Sequence, residues 1–318
     1  MRTLNKSKIE WCDSTWNPVT GCLHGCDYCY AKRIAERFGQ VPCENGNCNI
    51  SGDCEIEPSF NCKRYLQYEK IHDLEVAIRN FKKRTQHGKG IIQAYPYGFD
   101  PTFHKYRLLE PSQKTKPQNI FVVSMGDLFG DWVPDSWIDE VFQASFNADH
   151  HRYLFLTKNP SRYKRSVQHY ESEYNPYETE NWDNIWFGTT INSQKDERRV
   201  VELLNFDEGH KFLSIEPLLG EIDLTDIPGL SYPGCTTHDS LEGKLYHLDD
   251  DGKWTPDNKI EWVIVGAETG PGAKPPEPEW VQSIIDQCRD AGIPLFLKNN
   301  LNWPMKIQEY PWEKEKAK

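Results

Sequence analysis

Past residue 90 the chain repeats one rhythm: four to six consecutive apolar residues, a polar loop, then a stretch with helical spacing. The apolar runs fall at residues 91–95, 120–125, 153–157, 185–189, 211–215, 262–266 and 294–297. Each is continuous rather than alternating and rich in β-branched or aromatic residues, the pattern of a strand buried on both faces of a parallel sheet. Helices are predicted over 136–144, capped by Asp135, over 195–204, and over 279–291, the last ended by Gly292. Adding the segment 16–20 gives eight strands. Alternation at this count predicts an α/β fold, a (β/α) TIM-like barrel, complete or nearly complete, over residues 1–300.

Two stretches break the rhythm. Residues 41–90 form a Cys-rich insertion after the first helix, carrying a basic segment at 71–84 that reads as helical. Residues 229–260 are polar and turn-rich, a hairpin or loop insertion in which Asp249, Asp250, Asp251 and Gly252 read as a solvated turn. Residues 301–318 read as a C-terminal tail. In the 318 residues, 37% hydrophobic and 27% charged positions suffice for a packed core and exclude wholesale disorder. A net charge of −11 argues against a broad, non-specific surface for nucleic acid or membrane. No run approaches the roughly 18 apolar residues of a transmembrane helix, and the first residues lack a signal-peptide core. The expectation is a soluble, cytoplasmic protein with no membrane partner.

Eight of the ten cysteines lie between Cys12 and Cys62, a crowding that points to metal binding or catalysis rather than a disulfide scaffold. Cys22, Cys26 and Cys29 form a C-x3-C-x2-C run directly before a helical stretch with Ile34 and Phe38 on one face. Gly21 and Gly25 let that loop curl so that three thiolates converge on one inorganic centre. Three is one fewer than the four cysteines that ordinarily hold an iron–sulfur cluster, which leaves one metal position open for chemistry. A second group, Cys43, Cys48, Cys54 and Cys62, sits in turn-forming sequence too poor in apolar residues to fold without a staple. Its spacing is not that of a zinc-finger pair of C-x2-C halves, and three readings stand: structural zinc, an auxiliary iron–sulfur cluster, or free thiols. Cys12 reads as a small buried hydrophobe.

The C-x3-C-x2-C run, with Tyr28 directly before its last cysteine, resembles the signature of the radical S-adenosylmethionine superfamily. The phrases Trp16-Asn17-Pro18-Val19-Thr20-Gly21-Cys22, Gly126-Asp127-Leu128-Phe129, Leu156-Thr157-Lys158-Asn159-Pro160, Ser214-Ile215-Glu216-Pro217-Leu218-Leu219-Gly220 and Gly270-Pro271-Gly272-Ala273-Lys274-Pro275 resemble a bacterial and phage-borne branch of it, sometimes accompanied by a three-cysteine-motif partner protein. The resemblance implies a partial or full barrel and a [4Fe–4S] cluster on Cys22, Cys26 and Cys29. It also implies S-adenosylmethionine chelating the fourth iron, its reductive cleavage to a 5′-deoxyadenosyl radical, and an electron donor of flavodoxin or ferredoxin type. Tyr28 stands where the superfamily's aromatic lies near the adenine. The cysteines of residues 41–62 depart from the branch pattern.

Barrel sites sit at the carboxyl ends of the strands. The residues after the apolar runs are Asp127, Lys158, Asn192, Glu216, Glu268 and Lys298. Their chemistry suits a zwitterionic cofactor: Asp127 or Glu216 for the ammonium or ribose, Lys158 for the carboxylate, Ser124 and Thr157 as small hydroxyl donors. Glu268 and Lys298, on the last strands, are the candidates for facing substrate. The substrate itself is open among nucleotide or nucleic acid, peptide and small metabolite. Basic stretches at 79–84 and 162–165 are the features nearest to a nucleic-acid signal. Two rival readings are a non-catalytic zinc-binding barrel serving as an interaction module, and a hydrolase or lyase using Glu216 and Glu268 as acid and base.

Overall fold

The computed structural model describes residues 4–38, 71–77, 79–84, 90–174, 181–228, 235–247 and 258–314. The fold is mixed α/β, a largely parallel sheet flanked by helices, as in a partial β/α barrel. Eight strands lie side by side in chain order: Asn5–Lys6, Ser14–Trp16, Asn119–Val122, Arg152–Thr157, Ile185–Thr190, His210–Ile215, Trp262–Val265 and Leu295–Leu297. The last five pair in parallel throughout. Ile185–Thr190 and Trp262–Val265 are buried at every position, which is why their sequences are apolar without alternation.

The chain clusters into two compact units. The first holds residues 1–5, 15–115 and 122–148. Its core joins Trp16, Phe103, Phe129, Trp137 and Phe142, all buried. Phe103 stacks on Trp137 at 5.1 Å between ring centroids, and the Trp16 indole N–H donates to the Arg107 carbonyl at 2.9 Å. The helix Asp135–Phe146 buries Trp137, Ile138, Val141 and Phe142. Pro134, not Asp135, holds its N-cap position, and Asp135 lies in the first turn, where its charge complements the helix dipole.

The second unit holds residues 6–14, 116–121 and 149–318. Trp11, Trp186, Trp262 and Trp312 pack there with Phe121, Phe212 and Phe296 into one sealed cluster. Trp312 lies within residues expected as a tail; instead the short helix Pro311–Lys314 carries it into the core. Cys12 packs against the same cluster, its thiol donating to Ser7 Oγ at 3.2 Å. Burial pushes that thiol up to about 12. The helices Arg162–Tyr174, Glu197–Leu204 and Pro278–Asp290 also belong to this unit. Within the 229–260 stretch, Cys235–Asp239 and Lys244–His247 pair antiparallel, and Cys235–Asp239 also pairs with Ile227–Pro228.

Three further expectations need correction. The segment 16–20 is two strands: Ser14–Trp16 joins the main sheet, while Val19–Thr20 pairs antiparallel with Thr102–His104. Pro18 separates them, because proline has no N–H for the ladder. The run 91–95 is not a barrel strand; Gly90–Ile92 pairs antiparallel with Arg79–Arg84 in a separate sheet, and Pro96 and Gly98 turn the chain soon after. The basic segment 71–84 is not helical. Its first part is the strand His72–Leu74, with His72 and Leu74 buried and Asp73 exposed, paired parallel to Thr102–His104. That period of two is a strand's, and pairing overrides helical propensity. Cys43, Cys48, Cys54, Cys62 and Asp249–Gly252 lie outside the described residues.

Candidate active site

The Cys22–Cys29 loop belongs to the first unit. Its stem is clamped by backbone hydrogen bonds: Gly21 N–H donates to the Met125 carbonyl at 2.9 Å, and Cys22 N–H to the Phe99 carbonyl at 3.1 Å. Gly21 adopts φ +88°, and a Cβ there would stand 2.2 Å from the Asp100 carbonyl oxygen. Only glycine fits this position. The far end of the loop feeds straight into the helix Tyr30–Phe38, whose Arg33 N–H donates to the Cys29 carbonyl at 3.4 Å.

All three thiols are free and half-buried. Cys29 Sγ accepts the Lys32 backbone N–H at 3.3 Å, an N-cap arrangement in which sulfur takes the place usually held by oxygen. Cys22 Sγ accepts the His24 N–H at 3.5 Å. Burial, with additions from Asp127, Cys26 and Cys29, pushes the Cys22 thiol up to about 12. It therefore holds its proton at neutral pH unless a positive centre draws off the charge. Among the described residues, no group of three or more His, Cys, Asp or Glu side chains is gathered so as to hold a metal ion.

Beside the loop is the turn that follows Asn119–Val122. Val123 has φ 56°, a left-handed conformation that is costly for a β-branched residue. It is held there by the bond from its N–H to the Trp16 carbonyl at 2.7 Å. The turn presents Ser124 and Asp127, both buried. Ser124 Oγ donates to Asn17 Oδ1 at 3.1 Å, and its carbonyl accepts the Tyr30 hydroxyl at 2.5 Å. Asp127 Oδ1 accepts the Phe129 N–H at 3.0 Å, while Oδ2 lies 2.7 Å from His24 Nε2. The His24 ring meets Trp132 edge-on at 4.9 Å. Tyr28 is half-buried on the same loop.

The remaining expected residues belong to the second unit. Lys298 Nζ lies 3.0 Å from Glu216 Oε1, and Ser214 Oγ donates to Glu216 Oε2 at 3.3 Å. Gly266 lies against this pair: a Cβ there would stand 2.8 Å from Glu216 Oε1 and 3.0 Å from Lys298 Cδ. Lys158 Nζ donates to Asn192 Oδ1 at 3.5 Å, and Asn192 Nδ2 to the Pro217 carbonyl at 2.7 Å. The peptide bond between Glu216 and Pro217 is cis. Thus two cations, a carboxylate and an amide gather at strand ends of this unit. Glu268 Oε2 accepts the Lys274 N–H at 3.4 Å.

Sequence reasoning missed His24, Asn17 and Tyr30. His24 lay inside the cysteine motif as a spacer, and nothing in its spacing revealed Asp127 as its partner 103 residues away. Asn17 carried a weak signal, an amide ahead of a proline at a strand end. Its Oδ1 accepts both the Ser124 hydroxyl and, at 2.9 Å, the Met125 N–H.

No curated protein matches the chain. A solved structure of spore photoproduct lyase, in a cysteine-to-serine mutant, matches with a TM-score of 0.35 and 11% identity over 68% of this chain and 49% of that one. The chain thus spans about half the length of that protein. A family model covers residues 6–317, nearly the whole sequence. By that match, the chain belongs to the family described as "Protein of unknown function (DUF5131)".

Proposed function

We propose that this protein is a radical S-adenosylmethionine enzyme whose [4Fe–4S] cluster is held by Cys22, Cys26 and Cys29. The observation that carries the reading is the loop itself: three free, half-buried thiols between a glycine-clamped stem and a helix start. A cluster binds each thiolate through a different iron, so its donors stand farther apart than those around a single ion, and three donors leave one iron open. When bound and reduced, such a cluster supplies the electron that cleaves S-adenosylmethionine to methionine and a 5′-deoxyadenosyl radical, which takes a hydrogen atom from substrate.

The chain's own residues serve that chemistry in distinct ways. Backbone N–H groups at His24 and Lys32 stabilise negative charge on Cys22 and Cys29 sulfur. The start of the helix Tyr30–Phe38 adds its positive end beside Cys29. Tyr28 and Ser124 are the contacts expected for S-adenosylmethionine within the first unit. In the second unit, Lys158 and the Glu216–Lys298 pair offer cations and a carboxylate to a zwitterionic ligand. Electron paramagnetic resonance of the reconstituted, reduced protein tests the reading. A [4Fe–4S] signal that changes on adding S-adenosylmethionine is the expected result; zinc in place of iron, with no such signal, favours the interaction module instead.

A further inference from the structure

The cysteine loop is fixed at its stem and at the helix that follows, and the His24 side chain anchors its middle. His24 Nε2 lies 2.7 Å from Asp127 Oδ2. Asp127 is only 4% exposed, and its other oxygen is oriented by the Phe129 N–H at 3.0 Å. The acceptor is therefore pre-positioned rather than swinging free. The Trp132 and His24 rings meet in a T-shape, 4.9 Å between centroids and 79° between planes. His24 also stands between thiols, two residues after Cys22 and two before Cys26, and its own N–H reaches Cys22 sulfur.

We propose that His24 and Asp127 form a latch that fixes the spacing of the Cys22 thiol from those of Cys26 and Cys29. In this assignment Asp127 is a positioning residue acting through His24, not the ligand of the cofactor's ammonium or ribose that its strand-end location suggested. The geometry favours this use, because the carboxylate engages His24 with one oxygen and its own turn with the other. The consequence for an iron–sulfur cluster rests on the function proposed above; the latch does not.

The test uses the full chain and two readouts. Alkylation of Cys22, Cys26 and Cys29 in the metal-free protein, followed by mass spectrometry, reports opening of the loop without any cluster. His24→Phe keeps an aromatic ring against Trp132 and loses the hydrogen bond; Asp127→Ala loses the acceptor; His24→Gln supplies an amide donor in its place. The latch predicts alkylation of Cys26 faster by about tenfold in His24→Phe and in Asp127→Ala, no further gain in the double variant, and recovery in His24→Gln. In reconstituted protein the same two variants lose iron to a chelator faster and show an altered resonance signal, while the thermal midpoint of His24→Phe, which leaves the Phe129 N–H bond of Asp127 intact, stays at the wild-type value. Wild-type alkylation rates in both single variants, or additive effects in the double variant, would overturn the latch. A wild-type chain that takes up no iron ends the cluster reading and leaves the alkylation result to decide the latch alone.

Discussion

The Cys22–Cys29 loop and the tryptophan cluster of the second unit hold their residues by opposite means. Along the loop, exposed and half-buried positions alternate, and order comes from discrete hydrogen bonds at the Gly21 stem, His24 and Cys29. The cluster of Trp11, Trp186, Trp262 and Trp312 is sealed from water and held by area and shape, with indole rings meeting edge-on at 5.2 to 6.3 Å. Hydrophobic contact is strong but indifferent to the chemistry of its members. Hydrogen bonds are weaker but directional, and they leave sulfur reachable. The stability of this chain should therefore reside in the second region and its reactivity in the first.

The sharpest way to break that comparison is Trp262→Ala. Trp262 touches Trp11, Trp186 and Trp312, and its N–H donates to the Glu309 carbonyl at 2.9 Å. Its loss should cost about 3–5 kcal/mol in urea unfolding, with Trp262→Phe a gentler form should the alanine variant fail to fold. Gly21→Ala comes next. Its Cβ would overlap the Asp100 carbonyl and the residue would be held at φ +88°, so about 2 kcal/mol of destabilisation is expected, read by thermal melting.

These two sites also show what the sequence made legible. Strands buried on both faces announced themselves as unbroken apolar runs, so six of the main-sheet strands were readable at residues 120–297. Short elements were not: Asn5–Lys6 has no pattern to read, and the basic segment at 71–84 is set by pairing with a distant strand. At the site, cysteine spacing was legible because Cys22, Cys26 and Cys29 lie within eight residues. The His24–Asp127 contact was not, because it depends on tertiary placement that no local pattern encodes. The tail likewise hid Trp312, since Trp303, Tyr310 and Trp312, set among prolines and charges, give no helical or strand periodicity.

A pH series sharpens the account of the second unit. Lys211 is buried, its ammonium donating to the Glu208 and Gly209 carbonyls at 2.6 and 2.8 Å, 4.6 Å from the centroid of the Phe206 ring. Burial, only partly offset by Glu261, Glu208 and Asp207, lowers its pKa from the ordinary 10.5 to about 8. Between those values the unfolded chain carries a proton that the folded chain has released, so stability rises as pH climbs through that window and is flat with respect to this group below it. Lys211→Met should abolish that rise in urea midpoints measured from pH 7 to 10.5. The smallest effect is expected from Glu216→Gln. Its pair with Lys298 is partly exposed, so about 0.5–1 kcal/mol is at stake in thermal melting, although any ligand held by the pair would bind more weakly.

The most direct test of the central claim is an anaerobic reconstitution with iron and sulfide. It counts both per chain, then adds dithionite and S-adenosylmethionine and measures 5′-deoxyadenosine by mass spectrometry beside a Cys26→Ala control. About four irons on the loop cysteines are expected, with 5′-deoxyadenosine from the wild type and none from Cys26→Ala, the two proteins melting alike before reconstitution. Zinc without iron, or equal 5′-deoxyadenosine from both proteins, would contradict it.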